Sequence, residues 1–237
     1  MNRMNRMNRM NLMDVMDVMD GRDGSARMVF PPPDVRVVVF DVVGTLVEPS
    51  PSVADAYQQA AERHGVASDR ALIQQRFKAA WQRQEMIDAA ATPAFATNCE
   101  REARRWAAIV EDVFEAAPAC GAIFADLWEH FGRADAWQPL ERGRDLVRAS
   151  LDAGLTVALA SNFDERLLPI AARLEPLSWA QHVFASSEIG WRKPAPEFFR
   201  WIERRLGCVP AELLLVGDDP DLDLAAARRA GWQVLGV

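Results

Sequence analysis

Polar residues stand at the ends of three apolar runs. Asp41 follows Val37–Phe40, Ser161 follows Leu155–Ala160, and Asp218 follows Leu213–Val216 with Gly217 between. Each residue type can do chemistry, and each also has a plainer use. A carboxylate can attack an electrophile or hold a hard cation through oxygen. A serine hydroxyl can donate to an anion or simply cap a helix. A lysine can neutralise an anion or sit solvated on the surface. Lys193 and Lys78 are the only lysines among 27 basic residues, which raises the question of why arginine does not serve at those places. Asp219, Asp221 and Asp223 add an Asp-x-Asp-x-Asp string. A calcium loop would need glycine and glutamate where Leu224 and Ala230 stand, so that reading fails. Acids at a helix start are explained in part by the helix dipole.

The elements that must position these groups follow from periodicity. Val37–Phe40 is a continuous β-branched and aromatic run, as expected of a strand buried on both faces of a parallel sheet. The other two runs repeat that layout, each preceded by a helical segment closed by Gly154 or Gly207. Alternating strands and helices predict an open α/β sheet, with a site beyond the carboxyl ends of its strands. From Ser52 to about Trp137 the pattern is helical without strands. Ser52 and Asp55 form a capping box, and apolar stripes run through Tyr57 and Ala60, then Ile73, Phe77 and Trp81, then Trp106, Ile109 and Val113, then Ile123, Phe124 and Trp128. Core packing is the expected use of those aromatic residues.

The segment Val39-Phe40-Asp41-Val42-Val43-Gly44-Thr45-Leu46 resembles the first motif of the haloacid dehalogenase-like superfamily, Asp-x-Asp-Gly-Thr-Leu. Ala160-Ser161-Asn162, Arg192-Lys193-Pro194 and Gly217-Asp218-Asp219-Pro220-Asp221-Leu222-Asp223 follow in the family's order. The resemblance implies a Rossmann-like parallel sheet core over residues 28–51 and 138–237, with an inserted α-helical cap over 52–137. It also implies a Mg²⁺-dependent hydrolase acting on a small phosphorylated molecule, with Asp41 as nucleophile. Asp41, Asp218 and the backbone carbonyl of Val43 match the family's metal ligands. Ser161 and Lys193 match its phosphate donor and cation, with Asn162, Gly44 and Thr45 expected around the phosphate. Asp219 and Asp223 fall behind them, Asp223 holding Lys193 or metal-bound water.

Val43 breaks the pattern. Phosphatases of the family carry an aspartate there as general acid and base, and valine can be neither. A slow or specialised phosphatase, a non-catalytic protein that binds a phosphate or partner, a dehalogenase and a phosphonate hydrolase using Lys78 all remain open. Dehalogenases usually lack the acidic fourth motif, which this chain retains.

Composition narrows the partners. Half of the 237 residues are hydrophobic, enough for a buried core, and 34 acids against 27 bases give a net charge of −7. That excludes a surface built to neutralise nucleic acid. No run approaches a membrane span and no secretory signal begins the chain, so a cytoplasmic location is expected. Cys99, Cys120 and Cys208 lack metal-ligand spacing and read as buried thiols. Residues 1–27, with repeated Met-Asn-Arg and Met-Asp-Val, read as a disordered tail, with Met28 as a candidate natural start. Arg101, Arg104 and Arg105 could meet an anionic substrate, but on a helix they read as a solvated face. Neither the substrate nor the oligomeric state is specified by the sequence.

Overall fold

A computed structural model describes residues 30–237 of the chain. The expected tail at 1–27 and the start at Met28 lie outside the described residues.

Strand β1 (Val37–Phe40) is buried along its whole length, as its unbroken apolar run requires. Val38 and Phe40 point into one core layer with Leu159, Leu214 and Val216, while Val37 and Val39 point into the other with Phe198, Phe199 and Leu215. Burying such side chains is worth about 1.5–3 kcal/mol each, so a polar residue on either face of β1 would be costly. Around β1 lie β4 (Thr156–Ser161), β5 (His182–Ala185), β6 (Leu213–Gly217) and β7 (Gln233–Gly236). The five form a parallel sheet in the order β5-β4-β1-β6-β7. The chain builds outward through β4 and β5, then returns to the opposite side of β1 for β6 and β7. The order therefore reverses at β1, and the crevice created by that reversal opens at Asp41. β5 and β7 were not singled out by the sequence, being short runs with polar or exposed positions.

Two short strands, β2 (Val47–Pro49) and β3 (Trp137–Pro139), pair antiparallel as a separate ribbon. Between them the chain forms four helices, α1 (Val53–Arg63), α2 (Arg70–Ala90), α3 (Cys99–Val113) and α4 (Cys120–Phe131). Ser52, Asp69 and Asn98 cap the first three by accepting from backbone N–H groups. The insert has a core of its own in which Tyr57, Ile73, Ala80, Ile109, Val113 and Ile123 meet. Behind the ribbon, α5 (Glu141–Asp152) crosses the turn after β1 at Gly143, where a β-carbon would collide with the Thr45 carbonyl. A glycine inside that helix is thus a requirement of close approach.

Two expectations are corrected. Only Cys120 is a buried thiol; Cys208 is half-buried and Cys99 exposed. Arg101, Arg104 and Arg105 are not one solvated face either. Arg105 is 1% exposed, between Asp88 and Glu85, and Arg101 reaches Asp88 at 2.5 Å, leaving Arg104 as the exposed one. The residue type alone misled, because buried carboxylates on α2 supply partners that a helical wheel of α3 does not reveal. No helix among the described residues is long and apolar enough to cross a membrane.

Candidate active site

Asp41 leaves the end of β1 with its backbone N–H donating to the Val216 carbonyl at 2.9 Å, which fixes it between β4 and β6. The residue is 7% exposed. The Ser161 hydroxyl donates to Asp41 Oδ1 at 3.1 Å, and the Lys193 ammonium donates to the same oxygen at 2.6 Å. Lys193 Nζ also donates to Asp223 Oδ1 at 2.5 Å. Asp218 stands exposed at the end of β6, where the Thr45 hydroxyl donates to its Oδ1 at 3.1 Å.

The backbone is shaped to permit this convergence. Gly44 adopts a left-handed φ of +89°, and a β-carbon there would come within 2.5 Å of Asp218 Oδ2. Asp219 caps the turn Pro220–Ala225, accepting at 2.8 Å from both Asp221 N–H and Leu222 N–H, and so presents Asp223 inward. Asn162, expected beside a phosphate, spends its side chain on the backbone of Lys193: its Oδ1 accepts from Lys193 N–H at 2.7 Å and its Nδ2 donates to Lys193 O at 3.0 Å.

The electrostatics follow from these distances. Burial raises the Asp41 carboxyl, Lys193 pulls it back, and the charges of Asp223 and Asp218 help leave it at about 6. Burial disfavours the Lys193 ammonium, yet Asp41 and Asp223 outweigh it and its pKa lies above the usual lysine value. Asp218 is raised, first by burial and then by Asp223. Single carboxylate oxygens of Asp41, Asp218 and Asp223 lie within 4.8 Å of one another. Three carboxylates share that space with one ammonium, and the excess of negative charge and hard oxygen donors fits a divalent cation such as Mg²⁺. Val43 is half-buried and lines the same cavity. Its side chain offers no ligand atom, so only its backbone carbonyl could serve a metal.

Two groups near the site were not assigned a role from sequence. Arg166 holds Asp164 in a bidentate pair at 2.7 Å for each contact, donates to the Trp128 carbonyl at 2.5 Å, and stacks 3.4 Å from the centre of the Trp128 ring. It thereby ties the loop after β4 to the insert. Arg192, next to Lys193, donates from one nitrogen to both Glu102 oxygens at 2.8 and 2.9 Å and reaches Glu85 at 3.2 Å. Burial works against the Glu102 carboxylate, but Arg192, Thr97 and Arg105 outweigh it and hold its pKa below the usual range. The useful sequence signal was the position of Arg192 in the third motif, beside a residue already suspected.

Residues 35–231 match the family model of haloacid dehalogenase-like hydrolases. The chain is 28% identical over 203 residues to the human haloacid dehalogenase-like hydrolase domain-containing protein 3, covering 83% of this chain and 79% of that protein. Among solved structures it resembles the magnesium-bound HAD-hydrolase YfnB from Bacillus subtilis, with a TM-score of 0.63 at 17% identity, covering 86% of this chain and 88% of that one. It also resembles the defluorinating L-2-haloacid dehalogenase Rha0230, with a TM-score of 0.66 at 23% identity, covering 84% of this chain and 80% of that one. At those identities the structures speak for the fold, whereas the family match spans most of the sequence. The chain belongs to the haloacid dehalogenase-like hydrolase family.

Proposed function

We propose that this hydrolase is a Mg²⁺-dependent phosphatase of small molecules that works through an aspartyl phosphate at Asp41. The observation that carries the reading is the placement of Asp218 and Asp223 beside Asp41, where among the described residues Lys193 is the one cation paired with these carboxylates, contacting Asp41 and Asp223. A site that needed no metal would gain nothing from gathering so much uncompensated charge at its nucleophile. Asp41, Asp218 and the Val43 carbonyl would hold the ion, which when bound supplies positive charge to the phosphoryl oxygens.

The side chains do the rest. One Asp41 oxygen forms a bond to phosphorus as the bond to the leaving oxygen breaks, giving an acyl phosphate that water later cleaves. Ser161 donates a hydrogen bond to a phosphoryl oxygen, and Lys193 neutralises the charge that Asp41 and the phosphate bring together. Backbone N–H groups of Asn162 and Thr45 complete the phosphate cradle, whereas the Gly44 N–H, expected there too, donates to the Val47 carbonyl at 2.8 Å and shapes the loop instead. Asp219 and Asp223 position the others, Asp223 through Lys193. The leaving oxygen departs without a proton from residue 43.

Dehalogenation would use the same Asp41 against carbon, with Asp223 still holding Lys193, but it leaves the Asp218 carboxylate without a task. A phosphonate mechanism would need a lysine shielded in the cap; Lys78 lines the cavity but is exposed. The non-catalytic alternative, a protein that binds a phosphate or a partner, is favoured by Val43 alone. Phosphate release from p-nitrophenyl phosphate tests the reading. Wild type should require Mg²⁺, and Asp41→Asn should be inactive. A wild type that binds Mg²⁺ yet releases no phosphate from any ester would support the non-catalytic reading.

A further inference from the structure

Above Asp41, Ser161 and Lys193 lies a cavity of about 530 Å³ whose far side is made by the helical insert. Phe77, Trp81, Trp106, Phe124, Trp128 and Phe131 line it. Each of the six is only half-buried, unlike Ile73, Ile109 and Ile123 on the same three helices, which are at most 1% exposed. The aromatic stripes therefore do two jobs. Their aliphatic companions fill the core of the insert, and the rings turn their remaining surface to the cavity. The expected core packing holds for Phe77, Trp81, Trp106, Phe124 and Phe131, and the cavity adds a second use for the same rings.

The polar groups on that side are few. Lys78 and Gln82 are exposed. Arg166 is committed to Asp164 and to the face of Trp128. Tyr57 lines the cavity and is 1% exposed, and its hydroxyl has no hydrogen-bond partner among the described residues. A phenol hydroxyl is neutral near pH 7 and can donate to an acceptor that enters the cavity. A sugar or polyol phosphate would bury several hydroxyls here with one or two partners, at about 1–3 kcal/mol for each left unpaired. A second phosphate would meet no buried free cation among the described residues. A flat apolar ring would lose nothing, and aromatic side chains receive it in stacked or edge-on contact.

We propose that this cavity binds a planar aromatic body carried by the phosphoryl group, and that the substrate is an aryl monophosphate whose ring bears at most a single acceptor for Tyr57. The proposal rests on the phosphatase reading for its reaction but not for its binding site. It also accounts for Val43. When Asp41 bonds to phosphorus and the phosphorus–oxygen bond breaks, the electron pair leaves on an aryl oxide, which is stable enough to depart unprotonated and takes its proton from solvent. Water then cleaves the acyl phosphate, releasing inorganic phosphate and restoring Asp41.

Two measurements separate the site from the reaction. Phenyl and 1-naphthyl phosphate have leaving groups of similar acidity, and acetyl phosphate has a better one without a ring. The proposal expects kcat/KM to rise from acetyl to phenyl to naphthyl, with roughly tenfold for the added ring expressed in KM. In the second measurement, quenching of tryptophan fluorescence by 1-naphthylmethylphosphonate, which cannot be hydrolysed, should show binding at least ~10-fold tighter than methylphosphonate, and Trp106→Leu and Phe124→Leu should each erode that advantage. Acetyl phosphate turned over as well as naphthyl phosphate, with no preference between the two phosphonates, would overturn the aromatic site and leave the phosphatase standing. Tight naphthyl binding without turnover of any ester would support the site and overturn the reaction.

Discussion

The ammonium of Lys193 stands between two carboxylates, 2.6 Å from Asp41 Oδ1 and 2.5 Å from Asp223 Oδ1, and all three side chains are at most 10% exposed. Lys193 thus serves Asp41 and the turn after β6 together. Its backbone is pinned by Asn162, so the lysine is held at both ends.

Lys193→Met should leave Asp41 and Asp223 buried without a counter-charge. Breaking a buried pair from one side costs about 3–5 kcal/mol, so metal-free Lys193→Met should melt well below wild type. Adding Asp223→Asn should recover part of the loss, because one of the stranded charges is gone. Denaturant unfolding of both single variants and the double variant measures the coupling. Strictly additive losses would show that the 2.5 Å contact between Lys193 and Asp223 is energetically idle.

Asp41 should leave a pH signature in the metal-free protein. Burial raises its carboxyl from 3.8 to about 6. Between roughly pH 4 and pH 6 the folded protein holds a proton there that the unfolded chain has released. The stability contributed by this group is therefore greatest on the acid side and declines as pH rises through that window. Asp41→Asn removes the titration. In chelator, the stability of wild type relative to Asp41→Asn should fall from pH 4 to pH 6 and then level off; a flat difference would mean that Asp41 is not perturbed by burial.

Much of this site was legible in the residues because strand-end chemistry is local. A carboxylate after Val37–Phe40 and another after Leu213–Val216 must meet once both strands flank the same position in a parallel sheet. The resemblance implied that Asp223 holds Lys193 or metal-bound water, and Asp223 is found in contact with Lys193. The ion cluster of Arg105, Arg192, Asp88 and Glu102 was not, because its members lie on three different segments and no periodicity links them. The ribbon of β2 and β3 was missed for a similar reason: three-residue strands carry too few side chains to show alternation. The aromatic residues were found, but a helical stripe cannot say whether a ring faces a neighbouring helix or a cavity.

Arg192→Met should be severely destabilising. It would strand Glu102, itself 1% exposed, and remove a link between the insert and the loop bearing Lys193. A loss of about 3–5 kcal/mol is expected from thermal or denaturant unfolding. Glu102→Gln should cost less, since a neutral amide can still accept from Arg192. Equal and small effects would mean that the cluster is hydrated in solution.

Restoring an acid at residue 43 should change selectivity more than speed. General acid assistance is typically worth about 10²–10⁴ in rate, and it matters only for leaving groups that need a proton. Val43→Asp should therefore raise alkyl phosphate turnover far more than aryl phosphate turnover, narrowing the preference of wild type. Parallel kinetics on phenyl and ethyl phosphate would reveal it. No shift in the ratio would place the proton donor elsewhere.

The covalent intermediate at Asp41 is the central claim. Without a base at residue 43 the acyl phosphate should be hydrolysed slowly and accumulate during turnover of an aryl phosphate with Mg²⁺. Rapid acid quench followed by peptide mass spectrometry should find a phosphate adduct on the peptide containing Asp41, absent from Asp41→Asn and absent when Mg²⁺ is chelated. Steady turnover with no adduct at any quench time, together with phosphate release by Asp41→Asn at the wild-type rate, would contradict the account.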